Sequence, residues 1–280
     1  MQYSAEIVSQ AGINDTTLTI QREGEATVRL DSSIGLIFLS FVIDPPTPRT
    51  STNDLPGTDG TQGGETTYGP RGMIARFWLI ADDKYKYAAA EAKIIRLFDS
   101  KYYFKLVDED RPDLQWENVK LSDKITFDRK GTAISEVTIP MVSYYPYTLY
   151  TGLLSDLANE LGYPSGASMR SFTSTTFSLY NMGDTTIDPR VHDMVITFKG
   201  ASDGLIIENL TTGDTWTYTD STEATDEIKL DTVFAYKGAL SIFDKTDHGL
   251  ITLAPGENQI KISNSTGDMQ IDFEFPTYRF

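Results

Sequence analysis

The sequence predicts a mainly β protein of two antiparallel β-sandwiches, the first carrying one helix and a long loop. Three observations carry that reading. Short apolar runs with strand chemistry recur along the chain, one stretch has helical period, and residues 44–72 are rich in proline and glycine. At 280 residues, two domains are the natural expectation. They are placed at residues 1–147 and 171–280, with a linker and short helix over 148–170.

The first strong run, residues 36–43, is apolar on both alternations, so it predicts a strand buried on both faces. Residues 73–80, 102–107, 114–127 and 134–142 read as further strands. In the last, Val137, Ile139 and Met141 alternate with Glu136 and Thr138, the half-buried pattern. Trp78 and Trp116 lie in apolar runs and are expected in the core.

Between the first two runs, Pro45, Pro46, Pro48 and Pro56 are followed by Gly57, Gly60, Gly63, Gly64 and Gly69. That density forbids a helix and most sheet pairing. A structureless loop of this length inside a compact domain is uncommon; the open readings are a functional loop, a disordered one or, in an oligomer, an arm that becomes ordered on a neighbouring subunit.

The helix is expected at residues 83–98. Asp82 or Asp83 can cap it, Tyr87, Ala90, Ile94 and Phe98 form one apolar stripe, and Lys93 and Arg96 suit its C-terminal end. A weaker helix is expected over 149–161 from Leu153, Leu154, Leu157 and Leu161. Beyond residue 170 the chain reads as short strands split by turn clusters at Lys199-Gly200, Thr212-Gly213-Asp214, Pro255-Gly256-Glu257-Asn258 and Thr266-Gly267-Asp268.

Composition narrows the function. Cysteine is absent, which excludes disulfide scaffolds, thiolate metal sites and cysteine nucleophiles. The net charge of −16 argues against nucleic-acid binding along a broad surface and against anionic membranes. The opening MQYSAEIVSQ has no basic segment and no apolar core, so no signal peptide is expected, and no apolar run approaches the roughly 20 residues of a membrane span.

The chemistry-bearing motifs are missing. His192 and His248 stand in no metal-ligand spacing, and no nucleophile elbow or phosphate-binding glycine loop occurs. No cofactor, metal or catalytic residue is therefore expected. Asp108-Glu109-Asp110 is the densest acidic cluster and reads as a solvated turn. Trp216, flanked by polar residues, is the one candidate platform for a sugar, against the plainer reading of a cross-strand aromatic pair with Tyr218 or a neighbour.

Several motifs fall in a telling order. Leu55-Pro56-Gly57-Thr58-Asp59-Gly60 is followed by Tyr68-Gly69-Pro70-Arg71, the apolar strand, the helix, and Tyr144-Tyr145-Pro146-Tyr147. Asn181-Met182-Gly183-Asp184, with Pro189, precedes Leu253-Ala254-Pro255-Gly256-Glu257-Asn258 and an aromatic C-terminal strand. The series resembles the distal tail protein (Dit) family of siphophages infecting Gram-positive hosts. Residues 149–170 depart from it, being longer and more helical than the family's boundary, and no carbohydrate-binding module is inserted.

The resemblance implies a non-enzymatic virion protein at the tail tip, made in the host cytoplasm, with a galectin-like second sandwich. It implies a homohexameric ring joining the tail tube and tape-measure terminus to a tail-associated lysin or hub protein, with a receptor-binding protein at its periphery. The segment holding Pro45, Pro46, Pro48, Pro56, Gly57, Asp59, Gly60, Gly69, Pro70 and Arg71 becomes the expected inter-subunit arm. The alternatives are a binder of cell-wall glycans through the C-terminal sandwich and a glycosidase with unrecognised carboxylates.

Overall fold

The computed structural model describes residues 16–54, 56–57 and 59–280. Leu55 and Thr58 of the arm motif lie outside the described residues. The protein is mainly β. Contacts divide it into two compact units, residues up to 149 with Phe280, and residues 150–279.

Unit 1 holds β1 (Leu18–Arg22), β2 (Val28–Arg29), β3 (Leu36–Ile43), β4 (Pro48–Asn53), β5 (Gln62–Tyr68) and β6 (Arg71–Ile80). After helix α1 (Lys84–Leu97) come β7 (Phe104–Asp108), β8 (Leu114–Leu121), β9 (Thr126–Arg129) and β10 (Ile134–Ser143). The main sheet runs β2-β1-β7-β8-β10-β6-β3, with β9 also on β10. All of these pairs whose register is known are antiparallel. The expected single strand at 114–127 is two strands, because the chain turns between Leu121 and Thr126.

The inward face of β6 (Met73, Ala75, Phe77, Leu79) meets Val137, Ile139 and Met141 of β10 in a buried core. Helix α1 lies where its stripe predicts. Asp83 Oδ1 accepts from the Tyr85 and Lys86 amides at 2.8 Å, satisfying two donors that the first turn leaves free. Tyr87, Ile94 and Phe98 are fully buried, and the Tyr87 hydroxyl donates to Ser135 Oγ at 2.9 Å. At the other end Arg22 donates to the carbonyls of Arg96 and Leu97, terminating the helix with a cation.

Strand β11 (Thr148–Tyr150) spans the boundary. Unit 2 continues with α2 (Leu154–Glu160), β12 (Ser171–Phe172), β13 (Thr176–Asn181), β14 (Val195–Asn209), β15 (Asp214–Thr217) and β16 (Ser221–Thr222). It ends with β17 (Glu227–Asp231), β18 (Phe234–Lys237), β19 (Leu240–Ser241), β20 (Gly256–Glu274) and β21 (Tyr278–Arg279). The α2 helix is shorter than expected, since only Leu157 and Ala158 are buried and Leu153 stays in solvent.

Two turn clusters proved to be bends. Lys199-Gly200 lies inside β14 and Thr266-Gly267-Asp268 inside β20, and the two long strands pair along most of their length. Register shifts after Gly200 and between Ser202 and Ile206 let one ribbon turn a corner and serve both layers of the sandwich. A Cβ at Gly200, whose φ is 151°, would meet Asp268 O at 3.2 Å. The ribbon and its neighbours enclose a single apolar core that includes Phe198, Ile207, Trp216, Ile260 and Phe273.

Candidate assembly surfaces

The proline- and glycine-rich segment is ordered as a ribbon, contrary to the expectation that such composition prevents pairing. Strands β4 and β5 form their own two-stranded sheet, and all 13 of their residues are exposed. Pro48 opens β4, where its missing N–H interrupts no ladder. Threonines supply the strand propensity, and Thr50 and Thr66 bond hydroxyl to hydroxyl at 2.7 Å. A Cβ at Gly64 would displace the Ser51 hydroxyl across the ribbon and meet Ser51 O at 3.3 Å. Pro56, Gly57, Asp59 and Gly60 lie at the tip, and Pro45 and Pro46 lead into the base.

The base is firmly anchored. The Gly69 amide donates to Thr47 O at 2.8 Å, and the Asp44 amide to Gly72 O at 2.9 Å. Arg71 Nε donates to Asp44 O at 2.8 Å and Nη1 to Pro146 O at 3.4 Å, while its guanidinium lies 4.8 Å from the Trp116 ring centroid. Burial, followed by the nearby Arg111 charge, lowers the Arg71 pKa. Tyr68 packs edge-on against Phe280, which also meets Tyr147 at 4.6 Å. The Gly69-Pro70-Arg71 and Tyr145-Pro146-Tyr147 motifs, far apart in sequence, therefore meet at the root of the arm.

Beside the arm, β3 is not buried on both faces. Among the described residues it pairs only with β6, so one edge is open. Its outward side exposes Leu39 (38%) and Val42 (51%), and Val42 sits opposite Ile74 of β6 (37%). Trp78, expected in the core, is on this outer face and half-buried; Trp116 is buried. No residue of β3 is charged.

The acidic cluster is more than a solvated turn. Arg29 Nε and Nη2 donate to the two Glu109 carboxylate oxygens at 2.6 and 2.8 Å, and the Thr17 amide donates to Oε2 at 3.0 Å. Those bonds from Arg29 hold the Glu109 carboxyl below its ordinary range. Burial instead raises Asp108. Together these bonds tie β2 and the residue before β1 to the turn that follows β7.

In unit 2, Trp216 is 2% exposed, which corrects its reading as a sugar platform. Its polar neighbours Thr215 and Thr217 face outward while Trp216 and Tyr218 face the core, a period of two visible in the sequence. Nor is it paired with Tyr218 across strands; its partner is Ile207. His192 is buried, its Nδ1 accepting from the Asp188 amide at 3.0 Å, and His248 stacks on Phe243. Among the described residues no three His, Asp or Glu side chains are grouped to hold a metal, and no helix is long and apolar enough to cross a membrane.

The asparagines of the two C-terminal motifs form a buried lock. Asn258 Oδ1 accepts from Asn209 Nδ2 at 3.0 Å and from the Ala254 amide at 2.9 Å, and its Nδ2 donates to Ala254 O at 2.8 Å. Asn181 Nδ2 donates to Thr185 O and Leu253 O, and its Oδ1 accepts from the Gly183 amide. A side chain at Gly183 would press on Tyr278 O at 2.7 Å. These motifs shape loops; they carry no chemistry.

Residues 32–143 match the family of the phage tail protein RIFT-related domain. The Dit protein of phage SPP1, titled a paradigm of hub adsorption apparatus in phages infecting Gram-positive hosts, superposes with a TM-score of 0.65. It is 11% identical, and the alignment covers 94% of this chain and 99% of that one. Chains of the phage p2 baseplate in its activated conformation, with Sr and with Ca, align at TM-scores of 0.42 and 0.41. Their identities are 10% and 8%, and each alignment covers 93% of this chain and 98% of theirs. No curated protein matches. Residues 32–143 thus carry the phage tail RIFT-related domain, and the chain has the Dit fold.

Proposed function

We propose that the chain is a structural hub protein of a siphophage tail, working as a homohexameric ring in the virion and without catalysis. The observation that carries the reading is the open, uncharged β3 edge beside an exposed arm. Edge strands of soluble monomers are normally blunted by charge, proline or brevity, and a strand of seven apolar residues and one serine left open calls for a partner strand or surface. A two-stranded ribbon is marginal by itself, so β4 and β5 gain stability by packing on a neighbour.

The tail tube and tape-measure terminus would lie on one side of the ring. A tail-associated lysin or hub protein would lie on the other, with a receptor-binding protein at the periphery. Unit 1 would build the ring. It has 16 basic against 21 acidic residues, so its net charge of −5 still repels DNA passing through a lumen. Native mass spectrometry with negative-stain imaging of the purified chain tests the proposal. A hexameric ring is expected. A monomer at every concentration, alone and with its tail neighbours, would sink it.

A further inference from the structure

A second surface of unit 1 is left unused by the arm and the β3 edge. It is a groove of about 900 Å³ over the outer face of β1, β7 and β8. Gln21 and Lys105 stand opposite each other on its floor, and Lys105 pairs with Glu117 at 3.1 Å. One wall is the Glu23-Gly24-Glu25 turn. The other is Tyr102 and Tyr103, 58% and 50% exposed, with Tyr144 edge-on to Tyr103 at 6.2 Å. Cations hold the rings in place: Lys120 Nζ lies 4.0 Å from the Tyr103 centroid, and the Arg22 guanidinium 5.7 Å from that of Tyr102.

The lining decides what chemistry suits it. Apart from Gly24, Tyr102, Tyr103 and the buried Phe104 it is polar or charged, and the two tyrosines stand half exposed beside the Lys105–Glu117 ion pair. Its formal charges balance, Arg22, Lys101 and Lys105 against Glu23, Glu25 and Glu117, so a polyanion gains nothing there. Flat aromatic rings remain, interleaved with amides, carboxylates and ammonium groups. A sugar ring has matching chemistry, with apolar C–H faces and a rim of hydroxyls that both donate and accept. The Asn118 side-chain amide, without a partner among the described residues, adds a donor and an acceptor at the edge.

We propose that this groove binds a neutral oligosaccharide, with Tyr102 and Tyr103 as the stacking platform. The site is independent of the hub reading, which stands or falls on mass, whereas this one stands or falls on binding.

The test screens the intact protein on an array of neutral glycans and measures each hit by titration calorimetry. Tyr102→Ala and Tyr103→Ala are expected to weaken binding at least about tenfold each. Tyr103→Trp, which keeps a flat ring, should retain it, and Trp216→Phe should leave it unchanged. Circular dichroism checks each variant's fold, and Lys101→Ala serves if a tyrosine variant fails to fold. No retained neutral glycan, or retention indifferent to these substitutions, would overturn the proposal. So would a change of assembly mass in Tyr103→Ala with glycan binding intact, which would make the groove a subunit interface.

Discussion

Unit 1 ends its sheet on β3, eight uncharged residues with one open edge, and projects a ribbon with no core of its own. The strand path of unit 2 ends on β12 and β19, two residues each, while β13 (six residues) and β15 (four) branch off it, and buried asparagines tie down its loops. Charge divides the same way. Unit 2 has 8 basic and 19 acidic residues, a net of −11 against −5 for unit 1. High like charge discourages association, whereas the longest neutral edge, on the less charged unit, invites it. The proposed ring therefore draws on unit 1 for its contacts.

The sharpest way to break that contrast is to charge the open edge. Val42→Lys should convert the assembled species to monomer by mass photometry. Its effect on the isolated chain's stability should stay within about 0.5 kcal/mol, because the position is exposed. Leu210→Lys, at an exposed apolar residue of unit 2, should leave the assembly intact. If both variants assemble, β3 is not the joining surface.

A smaller effect is expected inside unit 2. Asn258→Ala removes the Asn258 half of the buried lock and leaves the Asn209 amide, the Ala254 amide and two carbonyls short of partners. A loss of about 3 kcal/mol in denaturant unfolding should follow, without loss of assembly by unit 1. An unchanged midpoint would mean that water replaces the lock.

The smallest effect separates the units by pH. Burial keeps His192 neutral, with its pKa below the ordinary 6.5, so its unfolded form binds the proton more readily. Its contribution is present above pH 6.5 and is lost as pH falls toward the folded value. Glu109, held below 4.5 by Arg29, contributes above 4.5 and loses that only in stronger acid. Trp216 is the sole tryptophan of unit 2, so comparing parent fluorescence with Trp216→Phe resolves the units. Unit 2 should weaken first on acidification, and His192→Phe should flatten that slope.

What the sequence determined by itself was local. The α1 stripe, its Asp83 cap and the alternation in β10 follow from helix and strand periods, which near neighbours define. The period of two around Trp216 was equally legible, though its polar flanks masked it. The order of short motifs carried the family likeness, because each marks a turn or close approach that a local backbone needs.

Only the tertiary structure decided the rest. Apolar composition in β3 cannot distinguish a buried strand from one left open for a partner, since both shed water in the end. Gly200 and Gly267 look like turns until the long pairing of β14 with β20 makes them bends. That Arg71 meets Pro146 at the root of the arm, and that Tyr102 and Tyr103 line one groove with Gln21, depends on which strands become neighbours. Such pairings join residues distant in sequence, and no local period encodes them.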